Sequence, residues 1–361
     1  MSVQYASYAR VRGTQARREK WLRKMVLTPP YSGGFAVARR AYVTRVIPQP
    51  GIDLLHEHLD VEVNEVDAPL SHEEVVQRAG SVEALVTLLT DRVDREVLEA
   101  GRGSLKIVAN VAVGYDNIDV PAATENGIMI SNTPGVLTDT TADFAWALLM
   151  GIARRTAEGQ EFLKAGKFKG WGIMMMLGED VYGKTLGIVG FGRIGQALAK
   201  RATGFDMRLL FYDPVIQSSP VADELGATRV DLDTLLAESD FVSVHTPLLP
   251  ETHHLIGARQ LSAMKPTAYL INTSRGPVVD EAALASALKS NVIRGAALDV
   301  FEEEPKVHPG LLEVDNVLLT PHIASASTTT RTRMATMAAE NVIAALDGRR
   351  PPSLVNPEVL D

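Results

Sequence analysis

Cysteine is absent from the 361 residues of the chain, which excludes disulfides, thiolate nucleophiles and thiolate metal sites. Long apolar runs are also missing: the longest, from Phe144 to Ala153, is far shorter than the ~20 residues that a membrane-spanning helix needs. Basic charge is in deficit, because 36 Lys and Arg face 44 Asp and Glu. Since proteins that bind nucleic acid carry a basic face, no such partner is expected. These absences indicate a protein of the reducing cytoplasm with neither a membrane nor a nucleic acid as partner.

The histidine pairs of the chain do not indicate a metal site. His253 and His254, like His56 and His58, stand without a carboxylate or cysteine at the spacing that metal ligands require. We therefore expect no bound metal.

Acidic residues are scarce in one segment, residues 1–40, where Glu19 is the only acid among many arginines and lysines. An Arg-rich, acid-poor segment at the N-terminus is typical of a transit peptide. The same composition is found in disordered extensions, and in upstream stretches translated from an early start, for which Met25 is a later candidate. We predict a disordered extension over residues 1–40 and regular structure from Ala41 onward.

From Ala41, short apolar runs alternate with stretches of helical periodicity, a pattern that is typical of βαβ units and parallel sheets. A long helix, predicted over Asp139 to Ala165 with capping side chains from Thr138 to Thr141, separates two such series. The last predicted helix runs from Thr328 to Leu346, before Gly348. The predicted strands are Tyr42–Thr44, Val61–Val63, Ala84–Leu88 and Lys106–Ala109, then Thr185–Val189, Arg208–Tyr212, Phe241–Val244, Ala268–Asn272, Ala296–Asp299 and Val317–Thr320.

The most specific short motif is the glycine pattern of residues 190–195, which follows a predicted strand and opens a predicted helix. In this context Gly190 permits a tight turn, Gly192 lets the backbone approach a pyrophosphate, and Gly195 lets helix and strand pack closely. The start of the helix, with Arg193 and Ile194, offers free N–H groups to phosphates. The motif predicts a dinucleotide-binding site.

Asp213 stands at the end of the next predicted strand, where an acid accepts hydrogen bonds from the ribose hydroxyls of adenosine. A carboxylate there repels a 2′-phosphate, so NAD is predicted in preference to NADP. Two alternatives stay open. In the first, the Asp213-Pro214 dipeptide forms only a turn. In the second, Arg208 or another nearby cation accommodates the extra phosphate of NADP.

Three later segments place polar side chains directly after predicted strands: Arg275, Asp299 followed by Glu302, Glu303 and Glu304, and His322. Ligands of open α/β sheets bind at the carboxyl ends of the strands, so these segments can converge on one cleft. Hydride delivered to a keto carbon leaves an alkoxide, for which histidine is the natural proton donor. A carboxylate beside the histidine favours its protonated form, the imidazolium. The planar guanidinium of an arginine can bind the substrate carboxylate through two parallel hydrogen bonds. This set predicts hydride transfer between nicotinamide and a small 2-keto or 2-hydroxy acid.

Each of these side chains taken singly has an ordinary alternative. Arg275 can brace a loop, Glu304 can be one acid of a solvated run, and His322 can be a structural histidine. The neighbouring acids Glu302 and Glu303 are predicted to be surface charges.

Three longer stretches resemble the D-isomer-specific 2-hydroxyacid dehydrogenase family: VAVGYDNIDVPAATENGI, SNTPGVLTDTTADFAWALLMGIARR and VYGKTLGIVGFGRIGQALAKRA. The resemblance runs from Ala41 to the end and is closest to the glyoxylate/hydroxypyruvate reductases. It implies two Rossmann-like domains, each with a doubly wound parallel sheet, and an active-site cleft between them. The substrate domain would comprise residues 41–138 and 322–361, and the NAD-binding domain residues 139–321. It also implies a homodimer formed through the cofactor domain, with the apolar helix around Phe144–Met150 as a candidate contact.

The resemblance also implies roles for the residues at matching positions. Arg275, Glu304 and His322 match the catalytic residues, while Val113 and Gly114 match the loop that, with Arg275, binds the substrate carboxylate. Beyond the glycine motif and Asp213, the cofactor contacts would be Pro247, Thr273, Ser274, Asp299 and Ala324, with Asp299 holding the nicotinamide carboxamide. The segment at Trp171 departs from the family pattern, since it continues with Gly172, Ile173 and three methionines. Three roles are open for these methionines: lining the site, forming a subunit contact or filling the core.

Other activities on the same fold remain open at this point. They are D-3-phosphoglycerate dehydrogenase and D-lactate dehydrogenase; a formate dehydrogenase is disfavoured, because that family has an amide in place of Glu304. A function of another class is a dinucleotide-sensing binding protein like the C-terminal-binding corepressors, which share the fold and the triad. Turnover separates the enzymes from the binding protein.

Overall fold

The computed structural model describes residues 39–361; the extension predicted for residues 1–40 lies almost entirely outside them. The first part of the described chain forms a five-stranded parallel sheet in the order β2-β1-β3-β4-β5. Its strands are β1 (Arg40–Val43), β2 (Asp60–Val63), β3 (Ala84–Thr87), β4 (Ile107–Asn110) and β5 (Met129–Ser131). Its helices are α1 (Gln49–His56), α2 (His72–Ala79), α3 (Arg95–Ala100) and α4 (Val120–Glu125).

The second part forms a seven-stranded parallel sheet in the order β12-β11-β10-β9-β6-β7-β8. Its strands are β6 (Thr185–Val189), β7 (Arg208–Tyr212), β8 (Thr228–Arg229), β9 (Phe241–Val244), β10 (Tyr269–Asn272), β11 (Gly295–Leu298) and β12 (Val317–Leu319). Its helices are α7 (Arg193–Ala202), α8 (Pro220–Leu225), α9 (Leu232–Glu238), α10 (Ala258–Ala263), α11 (Glu281–Lys289) and α12 (Pro309–Leu312). The strand order reverses between β6 and β9, which is where doubly wound sheets bind their ligands. The predicted fold class, two doubly wound parallel sheets, is confirmed.

Three further helices connect or close these units: α5 (Thr138–Ala153), α6 (Thr156–Lys164) and α13 (Thr328–Leu346). Helix α5 packs against α7, β10 and β11 of the seven-stranded sheet. Helix α13 follows the last strand of that sheet but packs against α1 and β4 of the other one. The bounds of α13 agree with the prediction, and Gly348 beyond it has a φ of 72°.

The single long helix predicted over Asp139 to Ala165 is wrong. The helix ends at Ala153, and Arg155 adopts a left-handed φ of 54° before α6 begins. The carbonyl of Ala153, which a continuous helix would use internally, accepts a 2.9 Å hydrogen bond from the backbone N–H of Glu179. A tertiary contact thus replaces the helical bond. The predicted capping is also wrong, because Leu137 occupies the N-cap of α5 and no side chain caps it.

Apolar clusters cover both faces of both sheets, which accounts for the unbroken apolar runs of the strands. Strands β3, β4, β9, β10 and β11 are buried along their whole length. Within residues 39–361, no helix has the length and apolar character needed to cross a bilayer.

Candidate active site

A cleft of about 1090 Å³ is lined by loops from the carboxyl ends of strands in both sheets. Its volume reaches the upper end of the range for small-molecule sites, which suits a ligand much larger than a small acid. Of the residues singled out from the sequence, the cleft is lined by Val113, Gly114, Gly192, Arg193, Ile194, Pro247, Thr273, Ser274, Arg275, His322 and Ala324.

The glycine loop between β6 and α7 is held in place by close backbone contacts. Gly190 has a φ of 92°, and a Cβ there would lie 2.8 Å from the carbonyl carbon of His245. A Cβ on Gly195 would lie 2.2 Å from the carbonyl oxygen of Gly190. Phe191 is fully buried and stacks on Phe211 with ring centroids 4.1 Å apart. The loop is therefore fixed against β7 and β9.

Gly192 differs from the other two glycines of the motif, Gly190 and Gly195, because a Cβ built on it meets no described atom within 4 Å. Its backbone, at φ −69° and ψ −165°, suits any residue, so the empty space and not the conformation distinguishes this position. The space adjoins the N-terminus of α7, whose first N–H groups have no acceptor within the helix. The residues present fit a pyrophosphate.

Two threonines on the same cleft support this fit. The hydroxyl oxygens of Thr246 and Thr273 are buried and have no hydrogen-bond partner among the described residues. A buried polar group without a partner is costly, so these hydroxyls are available to a bound ligand. Thr246 was not among the residues that the sequence singled out; its neighbour Pro247 was.

Asp213 lies at the end of β7, is only 8% exposed and does not line the cleft. Its Oδ2 accepts a 2.8 Å bond from the N–H of Phe191 in the glycine loop. Its Oδ1 accepts 2.8 Å bonds from the N–H groups of Val215 and Ile216. The carboxylate therefore braces both the glycine loop and the turn that follows β7.

His322 and Glu304 form a hydrogen-bonded pair, with 2.8 Å between Nδ1 and Oε2. Burial alone would raise the pKa of Glu304, but the hydrogen bond and charge of His322, together with the N–H of Phe301, hold that pKa below its ordinary value. Glu304 is thus an anion that orients the ring through Nδ1. The other ring nitrogen, Nε2, is left for chemistry on the cleft side.

Asp299 is fully buried at the end of β11 and holds the segment that carries His322. It accepts bonds of 2.8 and 2.7 Å from the backbone N–H groups of Ile323 and Ala324, and a 2.7 Å bond from the hydroxyl of Thr320. Burial raises its pKa, against the effect of these bonds. His322 has a left-handed φ of 53°, a strained conformation that these bonds help to maintain.

Arg275 follows β10 and reaches across the cleft. Its Nε donates to Asp116 at 3.0 and 3.3 Å, and its Nη1 donates to the carbonyl of Ser274 at 2.9 Å. A Cβ on Gly114 would lie 1.7 Å from Nη2, so the guanidinium rests directly on this glycine. The remaining N–H groups of the guanidinium have no acceptor among the described residues.

The loop after β4 presents unpaired backbone donors beside this guanidinium. The carbonyls of Val113 and Gly114 are engaged by the side-chain amides of Asn132 and Asn110, at 2.8 and 3.0 Å. Their N–H groups donate to no described atom. Two free N–H groups next to a guanidinium form a site for a small carboxylate.

Three other residues lie near the site, of which Glu302 differs from its prediction and Asp116 was missed. Glu302 is not a free surface charge, because it accepts from the N–H of Glu281 at 2.7 Å and contacts His254 at 2.9 Å. His245 lines the cleft, and burial lowers its pKa to about 4, so it is neutral at physiological pH. Asp116 was missed as a site residue, although it lies within a stretch that carries the family resemblance.

Comparisons with known proteins agree with this geometry. Residues 146–324 match the family model described as D-isomer specific 2-hydroxyacid dehydrogenase, NAD binding domain. A glyoxylate reductase of Korarchaeum cryptofilum is 56% identical over 324 residues, which cover 89% of this chain and 97% of that protein. The chain belongs to the D-isomer-specific 2-hydroxyacid dehydrogenase family.

Solved structures of similar proteins share the fold over nearly their whole length. The TT0316 protein of Thermus thermophilus is 44% identical, with a TM-score of 0.82 over 88% of this chain and 99% of that one. An NADPH-dependent glyoxylate/hydroxypyruvate reductase of Sinorhizobium meliloti, solved with NADP and malonate, is 32% identical, with a TM-score of 0.79 over 89% and 98%. The chain is thus an oxidoreductase of this dehydrogenase family with an NAD-binding domain.

Proposed function

We propose that the protein reduces glyoxylate or hydroxypyruvate to the corresponding 2-hydroxy acid with a nicotinamide dinucleotide as the reductant. The observation that carries this proposal is the position of Arg275 and of His322, which is paired with Glu304, on one cleft with the open space at Gly192. The high identity with glyoxylate reductases over nearly their full length supports the choice of substrate.

The dinucleotide supplies the hydride when it is bound. Arg275 and the free N–H groups of Val113 and Gly114 hold the carboxylate of the keto acid. His322 donates a proton to the carbonyl oxygen, and the anionic Glu304 orients its ring through the hydrogen bond to Nδ1. Arg275 also stabilises the negative charge that develops on that oxygen.

The remaining residues of the cleft would hold the cofactor. Gly192 to Gly195, with Arg193 and Ile194 at the helix start, would bind the pyrophosphate, and Asp299 would set the segment that receives the nicotinamide. Pro247, Thr273, Ser274 and Ala324, together with Thr246, line the rest of the path. We propose a preference for NADH, because the buried carboxylate of Asp213 disfavours a 2′-phosphate beside the glycine loop.

We propose two domains, 41–138 with 322–361 for the substrate and 139–321 for the cofactor. The packing of α13 on α1 and β4, and of α5 on α7 and β10, supports these boundaries. The two crossings between them would serve as hinges for closure.

We also propose a homodimer formed through the cofactor domain. The segment between α6 and β6 exposes large apolar side chains, including Phe168, Trp171, Ile173 and Met174. By contrast, Leu148 and Leu149 of α5 are buried within their own sheet's core, so the exposed segment is the better candidate contact.

The test is oxidation of NADH by the purified protein with glyoxylate and with hydroxypyruvate, with NADPH in parallel. Turnover with either acid and NADH supports the proposal and the role of Asp213. Turnover only with NADPH overturns the cofactor preference. Turnover confined to pyruvate or 3-phosphohydroxypyruvate favours D-lactate or D-3-phosphoglycerate dehydrogenase, and none with any acid favours a dinucleotide-sensing binding protein.

A further inference from the structure

We propose that Asp116 is a positioning residue that fixes the guanidinium of Arg275 for the keto acid, so that each sheet contributes one half of the substrate-binding group. The inference rests on the proposed function, since it concerns the same site. Asp116 lies in the loop after β4 of the five-stranded sheet, and Arg275 follows β10 of the seven-stranded sheet. Their 3.0 Å ion pair therefore spans the cleft.

The hydrogen-bond geometry assigns separate uses to the two sides of the guanidinium. Arginine has five N–H groups in a fixed plane. Asp116 takes the one on Nε and the carbonyl of Ser274 takes one on Nη1. Three remain, one on Nη1 and two on Nη2, and the outer edge formed by these two nitrogens can pair with a carboxylate. Asp116 thus binds the inner side and leaves the outer edge to the substrate.

The charge of Asp116 needs an explanation, because the ligand of this site is an anion. A carboxylate near a bound keto acid repels it, so a neutral residue would serve better if the position were only structural. The cost is offset if Asp116 restricts a long, flexible side chain that otherwise loses rotamer entropy on each binding event. Preorganised groups bind and catalyse more effectively than flexible ones.

The loop that carries Asp116 is itself held by a buried polar network. The adjacent Asn117 donates to the carbonyls of Leu88 and Asp91 at 3.1 and 2.9 Å, and it accepts from Asn110 at 3.1 Å. Asn110 is fully buried and also receives the hydroxyl of Thr87 at 3.1 Å. Asp116 is therefore attached to a rigid support, as a positioning residue must be.

The experiment compares Asp116→Ala and Asp116→Asn with the wild type, with Asp67→Ala as a control. Asp67 pairs with Arg45 through the same kind of Nε contact but is 80% exposed, and such pairs contribute little. For Asp116→Ala we expect kcat/KM for glyoxylate to fall at least about tenfold, mainly through KM. The dissociation constant of NADH should stay unchanged. Asp116→Asn keeps an acceptor for Nε and should recover part of the loss, whereas Asp67→Ala should match the wild type.

A double-mutant cycle shows whether Asp116 acts through Arg275. Lysine has no Nε–H at this position, so in an Arg275→Lys background Asp116→Ala should change kcat/KM by less than about twofold. If that background is too slow to assay, binding of oxalate to the NADH complex, read by NADH fluorescence, replaces turnover. A full further loss in the double variant, or wild-type behaviour of Asp116→Ala, contradicts the inference. Wild-type protein that reduces neither acid contradicts the proposed function instead.

Discussion

A single methyl group at Gly192 tests whether the dinucleotide lies where the structure leaves room for it. In Gly192→Ala the added Cβ meets no described atom within 4 Å, and the backbone already has a φ that alanine adopts. The substitution should therefore leave the unliganded fold intact. It should even stabilise it slightly, by about 0.4–1 kcal/mol, because alanine restricts the unfolded chain.

Binding of the dinucleotide should respond in the opposite direction. If the pyrophosphate rests on this glycine, the methyl group displaces it by about 1 Å or more from the N–H groups at the start of α7. We expect the dissociation constant of NADH to rise about 10- to 100-fold, which corresponds to about 1.4–2.8 kcal/mol.

The assay pairs thermal unfolding without ligand with NADH titration followed by fluorescence. Gly159→Ala is the matched control, because its Cβ also meets nothing within 4 Å but it lies in α6 and does not line the cleft. Both variants should melt at or above the wild-type temperature, and only Gly192→Ala should bind NADH weakly. Wild-type affinity in Gly192→Ala would refute the placement of the pyrophosphate.

Three further predictions concern the reacting groups. His322→Asn should lower kcat about 10²- to 10⁴-fold with NADH affinity retained, since it removes the proton donor; steady-state rates and titration check this. The pKa of Glu304 is lowered in the folded protein. The stability that its pairing with His322 contributes is therefore fully present above the ordinary carboxyl pKa and is lost as the pH falls through the lowered pKa. The melting-temperature difference between wild type and Glu304→Gln should therefore shrink in acid, and a constant difference contradicts this. Gly114→Ala places a Cβ 1.7 Å from Nη2 of Arg275. It should lower kcat/KM for glyoxylate about 100-fold and leave the affinity for NADH unchanged. An unchanged kcat/KM would show that the guanidinium lies elsewhere.

The sequence was most informative where apolar periodicity and glycine spacing act locally. Strands β6 and β7 and the helix α13 have the predicted bounds, because continuous apolar runs identify buried parallel strands. The break in the long helix was not predictable from its own residues. The carbonyl of Ala153 accepts a hydrogen bond from the N–H of Glu179, more than twenty positions along the chain. A local sequence pattern cannot indicate a contact at that separation.

For the candidate site, the sequence suggested individual residues but not their contacts. A carboxylate partner for His322 follows from the chemistry that a histidine donor needs, and the choice of Glu304 follows from the family resemblance, although only the structure gives their distance. Asp116 carries no local signal, since one acid in a loop is ordinary until its partner across the cleft is known. The role of Asp213 in holding the glycine loop was not predictable for the same reason, because its partner Phe191 follows a different strand.

The central claim is that hydride passes within this cleft from a nicotinamide to the keto carbon of a small acid. The most direct measurement is the reaction of glyoxylate with NADH that carries deuterium at the transferable position of nicotinamide C4, with the product analysed by NMR and mass spectrometry. We predict glycolate with one deuterium on C2 from the wild-type protein, and at least about 100-fold less of it in the same time from His322→Asn. Glycolate without deuterium, or an equal yield from both proteins, would contradict the claim.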